Sequence, residues 1–116
     1  MKYQELEEKV IIWAENKGIL DNGTPYAQAQ KTLEEVEELI EAVTAQKAGN
    51  ETFINSKGKL VSTREETIDA IGDVAVTLII QCEMQGLSFE DCLNSAYNVI
   101  SKRSGVMKDG QFIKDK

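Results

Sequence analysis

Residues 69–80 read DAIGDVAVTLII: two aspartates, Asp69 and Asp73, stand four apart at the mouth of an otherwise apolar run. In a helix, at about 100° per residue, Ile68, Ile71, Ala75, Leu78, Ile79 and Cys82 fall on the main apolar face, and Glu66, Asp69 and Asp73 share the opposite side. A solvated side should stay polar along its length. Here it continues into Val76, Thr77 and Ile80, so the helix is apolar nearly all round from Val74 to Ile80, which marks burial inside a bundle or against another subunit. Asp69 and Asp73 therefore stand at the threshold of something buried.

The other acidic helix lies upstream, in TPYAQAQKTLEEVEELIEAVTAQKA, residues 24–48. Thr24 followed by Pro25 reads as an N-cap with proline at the first helical position, and Gly49-Asn50 as the stop. Ala29, Leu33, Val36, Ile40 and Val43 form the expected core stripe, with Leu39 at its edge. Beside it, Gln28, Lys31, Glu35, Glu38 and Ala42 occupy roughly an 80° sector, whereas Glu34, Glu37 and Glu41 point elsewhere. Glu37 and Glu41 read as ordinary solvated helix formers. Glu35 and Glu38, spaced i,i+3 at a core boundary, form a carboxylate pair that the same-face Lys31 can neutralise only in part.

The remaining segments complete an all-α reading with four main helices in an antiparallel, bundle-like arrangement. Tyr3, Leu6, Val10, Trp13 and Ala14 set a first helix over about 3–17, stopped at Gly18. LDNGT (20–24) reads as a turn. The acidic helices cover 25–48 and about 63–85, and Ser88 with Asp91 starts a fourth helix to about Arg103. Small hairpins are expected in the 49–63 loop, around Lys57-Gly58, and in the tail, around Asp109-Gly110. The 116 residues are expected to form a single domain, large enough to fold without a disulfide or structural metal. Cys82 and Cys92 lack ligand spacing and, with no histidine in the chain, read as buried reduced thiols rather than a zinc site.

The formal charge of −7, from 20 acidic and 13 basic residues, argues against a general binder of nucleic acid or anionic membrane. No signal peptide or membrane span is visible, and a cytoplasmic location is expected. Acidic proteins attract cations, and the carboxylates sharpen the point. If Glu35, Glu38, Asp69 and Asp73 converge, two like charges about 4 Å apart cost on the order of 4 kcal/mol at an effective dielectric near 20. Such a cluster must be protonated, held apart or neutralised. With oxygen donors only, the fitting ion is Mg²⁺, with Mn²⁺ as a substitute.

Glu34, Glu35 and Glu38 as EExxE, then Asp73 in IGDV as the aspartate of ExxD, resemble the MazG-like all-α nucleoside triphosphate pyrophosphohydrolases. QAQK (28–31) is similar to the lead-in to the first motif, and NVISKRSGVMKDGQFIK (98–114) to the end of small, phage-type members. The sequence departs from the pattern at Ala70, where the glutamate of ExxD is expected; Asp69, or else Glu66, shares the face of Asp73 and can stand in. The resemblance implies Mg²⁺-dependent hydrolysis of a nucleoside triphosphate to the monophosphate and pyrophosphate. It implies Glu35, Glu38, Asp69 and Asp73 as metal ligands and Glu34 as the residue that orients or deprotonates water. Gln28, Lys31, Asn98, Lys102 and Arg103 are implied to meet the substrate, although Lys102 and Arg103 read equally as solvated helix-end cations. Trp13 packs in the core or stacks on a base. Two rivals are phosphoribosyl-ATP pyrophosphohydrolase and a non-catalytic helical interaction module. The all-round apolarity of 74–80 predicts a homo-oligomer, dimer or tetramer.

Overall fold

Residues 1–115 are described by a computed structural model, and the described residues form five helices and two hairpins. In the first unit, Met1–Gly86, these are α1 (Tyr3–Asn16), a single turn α2 (Ile19–Asn22), α3 (Pro25–Lys47) and α4 (Thr63–Met84), with a hairpin of β1 (Thr52–Ile54) and β2 (Leu60–Ser62) between α3 and α4. The second unit begins at Leu87 and holds α5 (Phe89–Ile100) and a hairpin of β3 (Gly105–Lys108) and β4 (Gln111–Lys114). Thr24, Ser62 and Ser88 accept from the backbone N–H groups of Ala27, Glu65 and Asp91 at 3.1, 3.3 and 3.3 Å, satisfying donors that a helix start leaves unpaired.

The molecule is mainly helical but not strictly all-α, because both expected hairpins form two-stranded antiparallel sheets. In the first, Asn55 Oδ1 accepts from the N–H groups of Lys57 and Lys59, both at 3.0 Å, and Gly58 takes φ +78°. The second turns through Asp109 and Gly110, with φ of 51° and 80°, values that suit this pair. LDNGT is not wholly a turn: half-buried Ile19 and Leu20 draw the chain into α2, which packs on α1 and α4. Helix α5 stops at Ile100, so Lys102 and Arg103 follow the helix rather than belong to it.

The α3–α4 pair dominates the first unit and is antiparallel: the start of α3 meets the end of α4. There, Gln28 Nε2 donates to Thr77 O at 3.2 Å, Thr32 Oγ1 to Thr77 Oγ1 at 2.9 Å, and Gln81 Nε2 to Pro25 O at 2.9 Å. Buried Ala42, Ala45 and Ala70 keep the contact free of bulky side chains.

The face of α3 that turns inward is not the one its hydropathy predicts. Leu33, Ile40 and Val43 are exposed, Leu33 and Ile40 at 58% and 59%, whereas Gln28, Glu35, Ala42 and Ala45 are buried. On α4 the predicted face divides: Ile68 and Ile71 are exposed, Ala75, Leu78 and Cys82 are half-buried and Ile79 is buried, as are Ala70, Thr77 and Ile80 beside it. Small and hydrogen-bonded polar residues permit the close helix contact, and the bulky stripe of α3 remains uncovered in one chain. Trp13, expected in the core or against a base, is half-exposed, and Cys82 and Cys92, expected to be buried, are half-buried and exposed. Among the described residues, no helix is long and apolar enough to cross a membrane.

Candidate active site

Past the hydrogen-bonded end, α3 and α4 bring three of the expected carboxylates together. One oxygen from each of Glu35, Glu38 and Asp73 lies within 4.8 Å of the others. Glu35 is 8% exposed, and its Oε2 is buried with no hydrogen-bond partner. A buried, unsatisfied carboxylate oxygen is costly, and Lys31 on Glu35 and Lys57 on Glu38 neutralise the three converging carboxylates only in part.

The surrounding charge raises the same demand. Burial first, then Glu38, pushes the Glu35 carboxyl above its ordinary range against the opposing pull of Lys31. Asp73 is exposed as a residue, but partial desolvation of its carboxyl first, then Asp69 and Glu38, raises it as well, against Lys31 and Lys57. Lys31 bridges Glu34 and Glu35 at 3.2 and 3.4 Å, and the hydrogen bond to Glu34 leads the effects that raise its own pKa, so it stays cationic. A cavity of about 320 Å³ adjoins the cluster, and Glu38, Glu41, Glu66, Asp69 and Asp73 line it against one lining cation, Lys57. Oxygen donors without nitrogen or sulfur match Mg²⁺ or Mn²⁺, so these residues fit that ion.

The other expected residues are distributed as follows. Asp69 is exposed and lines the cavity near Asp73, outside the three-carboxylate group, and Glu66 lines the same cavity half-buried. Ala70, at the position of the missing glutamate, is 3% exposed and also lines it. Glu34 is 65% exposed and paired with Lys31, away from the cavity lining. Gln28 is buried and its amide ties α3 to α4. Asn98, Lys102 and Arg103 belong to the second unit, all three exposed.

Two participants escaped the sequence reading. Glu41, expected on the solvated face, is half-buried, lines the cavity and accepts from Ser56 N at 2.9 Å, which fastens the β1–β2 turn to α3. Lys57, from that turn, places Nζ 3.5 Å from Glu38 Oε1. The signal for Glu41 was its i,i+3 relation to Glu38. Lys57 carried no periodic signal, because a hairpin between two helices obeys no helical period.

The family model described as phosphoribosyl-ATP pyrophosphohydrolase matches residues 14–98, well over half the chain. The chain is 26% identical over 103 residues to "Uncharacterized protein YvdC" of Bacillus subtilis (strain 168), covering 89% of this chain and 96% of that protein. No solved structure matches the chain significantly. The match spans both helices that carry the carboxylates, and the chain belongs to the phosphoribosyl-ATP pyrophosphohydrolase family, part of the MazG-like superfamily that its motifs resemble.

Proposed function

We propose that this protein hydrolyses a nucleoside triphosphate to the monophosphate and pyrophosphate in a Mg²⁺-dependent reaction. The observation that carries the reading is the convergence of Glu35, Glu38 and Asp73 around a buried, unpartnered carboxylate oxygen. These three side chains hold the ion, and Asp69 offers a fourth oxygen from the cavity side. Bound Mg²⁺ supplies charge neutralisation for phosphate oxygens and lowers the pKa of water.

The remaining work falls to the chain. The water oxygen bonds to the α-phosphorus, the bond to the α–β bridging oxygen breaks, and that oxygen leaves with pyrophosphate. The water proton needs a carboxylate. The resemblance gives that role to Glu34, and Glu34→Gln tests it: full retention of kcat moves the role to a cavity carboxylate such as Glu66. Helix α3 places Glu35 and Glu38 on one face, α4 places Asp73 opposite, and the hydrogen bonds around Thr77 set their separation.

The family match favours a second reading, phosphoribosyl-ATP as substrate, which breaks the same α–β anhydride. Pyrophosphate release from ribo- and deoxyribonucleoside triphosphates and from phosphoribosyl-ATP, with Mg²⁺ and with chelator, decides between them. Turnover that survives chelation, or none on any substrate, overturns the metal-site reading. Self-association is part of the same proposal: exposed Leu33, Ile40 and Val43 on α3 and Ile68 and Ile71 on α4 suit burial against a second copy. Sedimentation equilibrium giving a monomer at micromolar concentration counts against it.

A further inference from the structure

The carboxylate cavity contains its own cation, and that cation is mounted differently from the rest of the site. Lys57 projects from the β1–β2 turn, whose backbone is fixed by three side-chain hydrogen bonds: Ser56 N donates to Glu41 Oε1 at 2.9 Å, and Lys57 N and Lys59 N donate to Asn55 Oδ1, both at 3.0 Å. Its side chain is by contrast loosely held, 77% exposed, with Nζ 3.5 Å from Glu38 Oε1. Lys31 differs on each point. It has two carboxylate partners, Glu34 and Glu35, and comes from within α3. Among the described residues lining the cavity, Lys57 is the only lysine or arginine and faces five carboxylates.

We infer that Lys57 is a two-position cation, resting on Glu38 when the site is empty and turning to the substrate's phosphate chain when a divalent ion takes Glu38. The inference rests on the pyrophosphohydrolase reading and adds to it the residue that receives the phosphates on the hairpin side. The physical reason is competition. Glu38 is one of the three converging carboxylates, so an ion held there displaces the ammonium from its one charged partner. A polyphosphate entering a cavity lined by acids then offers the strongest anion within reach of a flexible four-carbon stem on a fixed base. The lysine thus lowers repulsion among the carboxylates in the resting protein and supplies positive charge to the incoming phosphates.

The test uses the full chain with Lys57→Met and Lys57→Arg, and probes that need no knowledge of the base. Electron paramagnetic resonance titration with Mn²⁺ alone should show Lys57→Met binding the ion about two- to five-fold more tightly than wild type, the size expected for removing an exposed competitor. Calorimetry with the preformed 1:1 complex of Mn²⁺ and inorganic tripolyphosphate should show the opposite, an affinity loss of about tenfold in Lys57→Met that Lys57→Arg largely restores. Unchanged affinity for both probes in Lys57→Met overturns the inference, as does weaker Mn²⁺ binding, which would make Lys57 a support for Glu38. Because the side chain is exposed at a turn, Lys57→Arg should melt with wild type in chelator, and Lys57→Met only slightly below it for want of the ammonium beside Glu38. Failure of the underlying reading looks different: wild-type protein that binds no Mn²⁺, or nucleotide turnover undiminished in Glu38→Gln, overturns that reading and the inference with it.

Discussion

The two ends of the α3–α4 pair use polar residues in opposite ways. At one end Gln28, Thr32, Thr77 and Gln81 are matched donor to acceptor across the helices. At the other, Glu35, Glu38 and Asp73 converge acceptor on acceptor, with one oxygen orphaned. The satisfied end fixes the helix spacing, and the unsatisfied end is held at that spacing against its own repulsion. Matched and unmatched polar groups are thus divided along one helix pair, and the division can be attacked from either side.

The largest effect is expected from Glu38→Gln, which should lower kcat/KM for pyrophosphate release at least about a hundredfold, while its melting temperature in chelator equals or exceeds wild type because a like charge is gone. Asp73→Asn should act similarly, and Asp69→Asn, from outside the three-carboxylate group, less severely. Gln28→Ala at the other end should reverse the pattern, costing about 1–2 kcal/mol of stability in denaturant melts with a modest loss of turnover. Unchanged stability with lost activity would instead place Gln28 on the substrate. Mg²⁺ should raise the melting temperature, by about 2.7 kcal/mol of stability at a hundred times its Kd, and Asp73→Asn should remove that gain.

The pH dependence is smaller, and its sign follows from the raised pKa values. Glu35 and Asp73 hold their protons to higher pH in the folded chain than in the unfolded one. Their contribution to stability is therefore largest below the ordinary carboxylate range near pH 4 and is lost as pH rises through their folded values. In chelator, this contribution lowers the melting temperature from acid toward neutral pH. Glu35→Gln should flatten that slope, and saturating Mg²⁺ should oppose it. A slope unaltered by Glu35→Gln would assign it to other groups.

The sequence made the helices and the site legible to different degrees. Thr24-Pro25, Ser88 and the glycine stops marked the long helices because caps act locally. The acids on 66, 69 and 73, together with the apolar run beyond them, pointed to the side of α4 that meets α3. Hydropathy misplaced the inward face of α3, because helices that meet through Ala42, Ala45 and Ala70 bury less bulk than helices that meet through leucine. Amphipathic periodicity reports which face carries the bulky apolar side chains, and on α3 that face is exposed in the single chain. Glu41 and Lys57 were missed because their roles depend on where a hairpin folds back, and no local pattern encodes that.

The uncovered stripe of Leu33, Ile40 and Val43 lies on the same helix as Glu35 and Glu38. If a second copy covers it, protein concentration becomes a thermodynamic variable of the site. Dilution then lowers the melting temperature and loosens the helix that presents two of the three converging carboxylates. Specific activity would fall below a threshold concentration, and added Mg²⁺ would shift that threshold downward, since an ion and a partner that both favour one arrangement of α3 reinforce each other reciprocally.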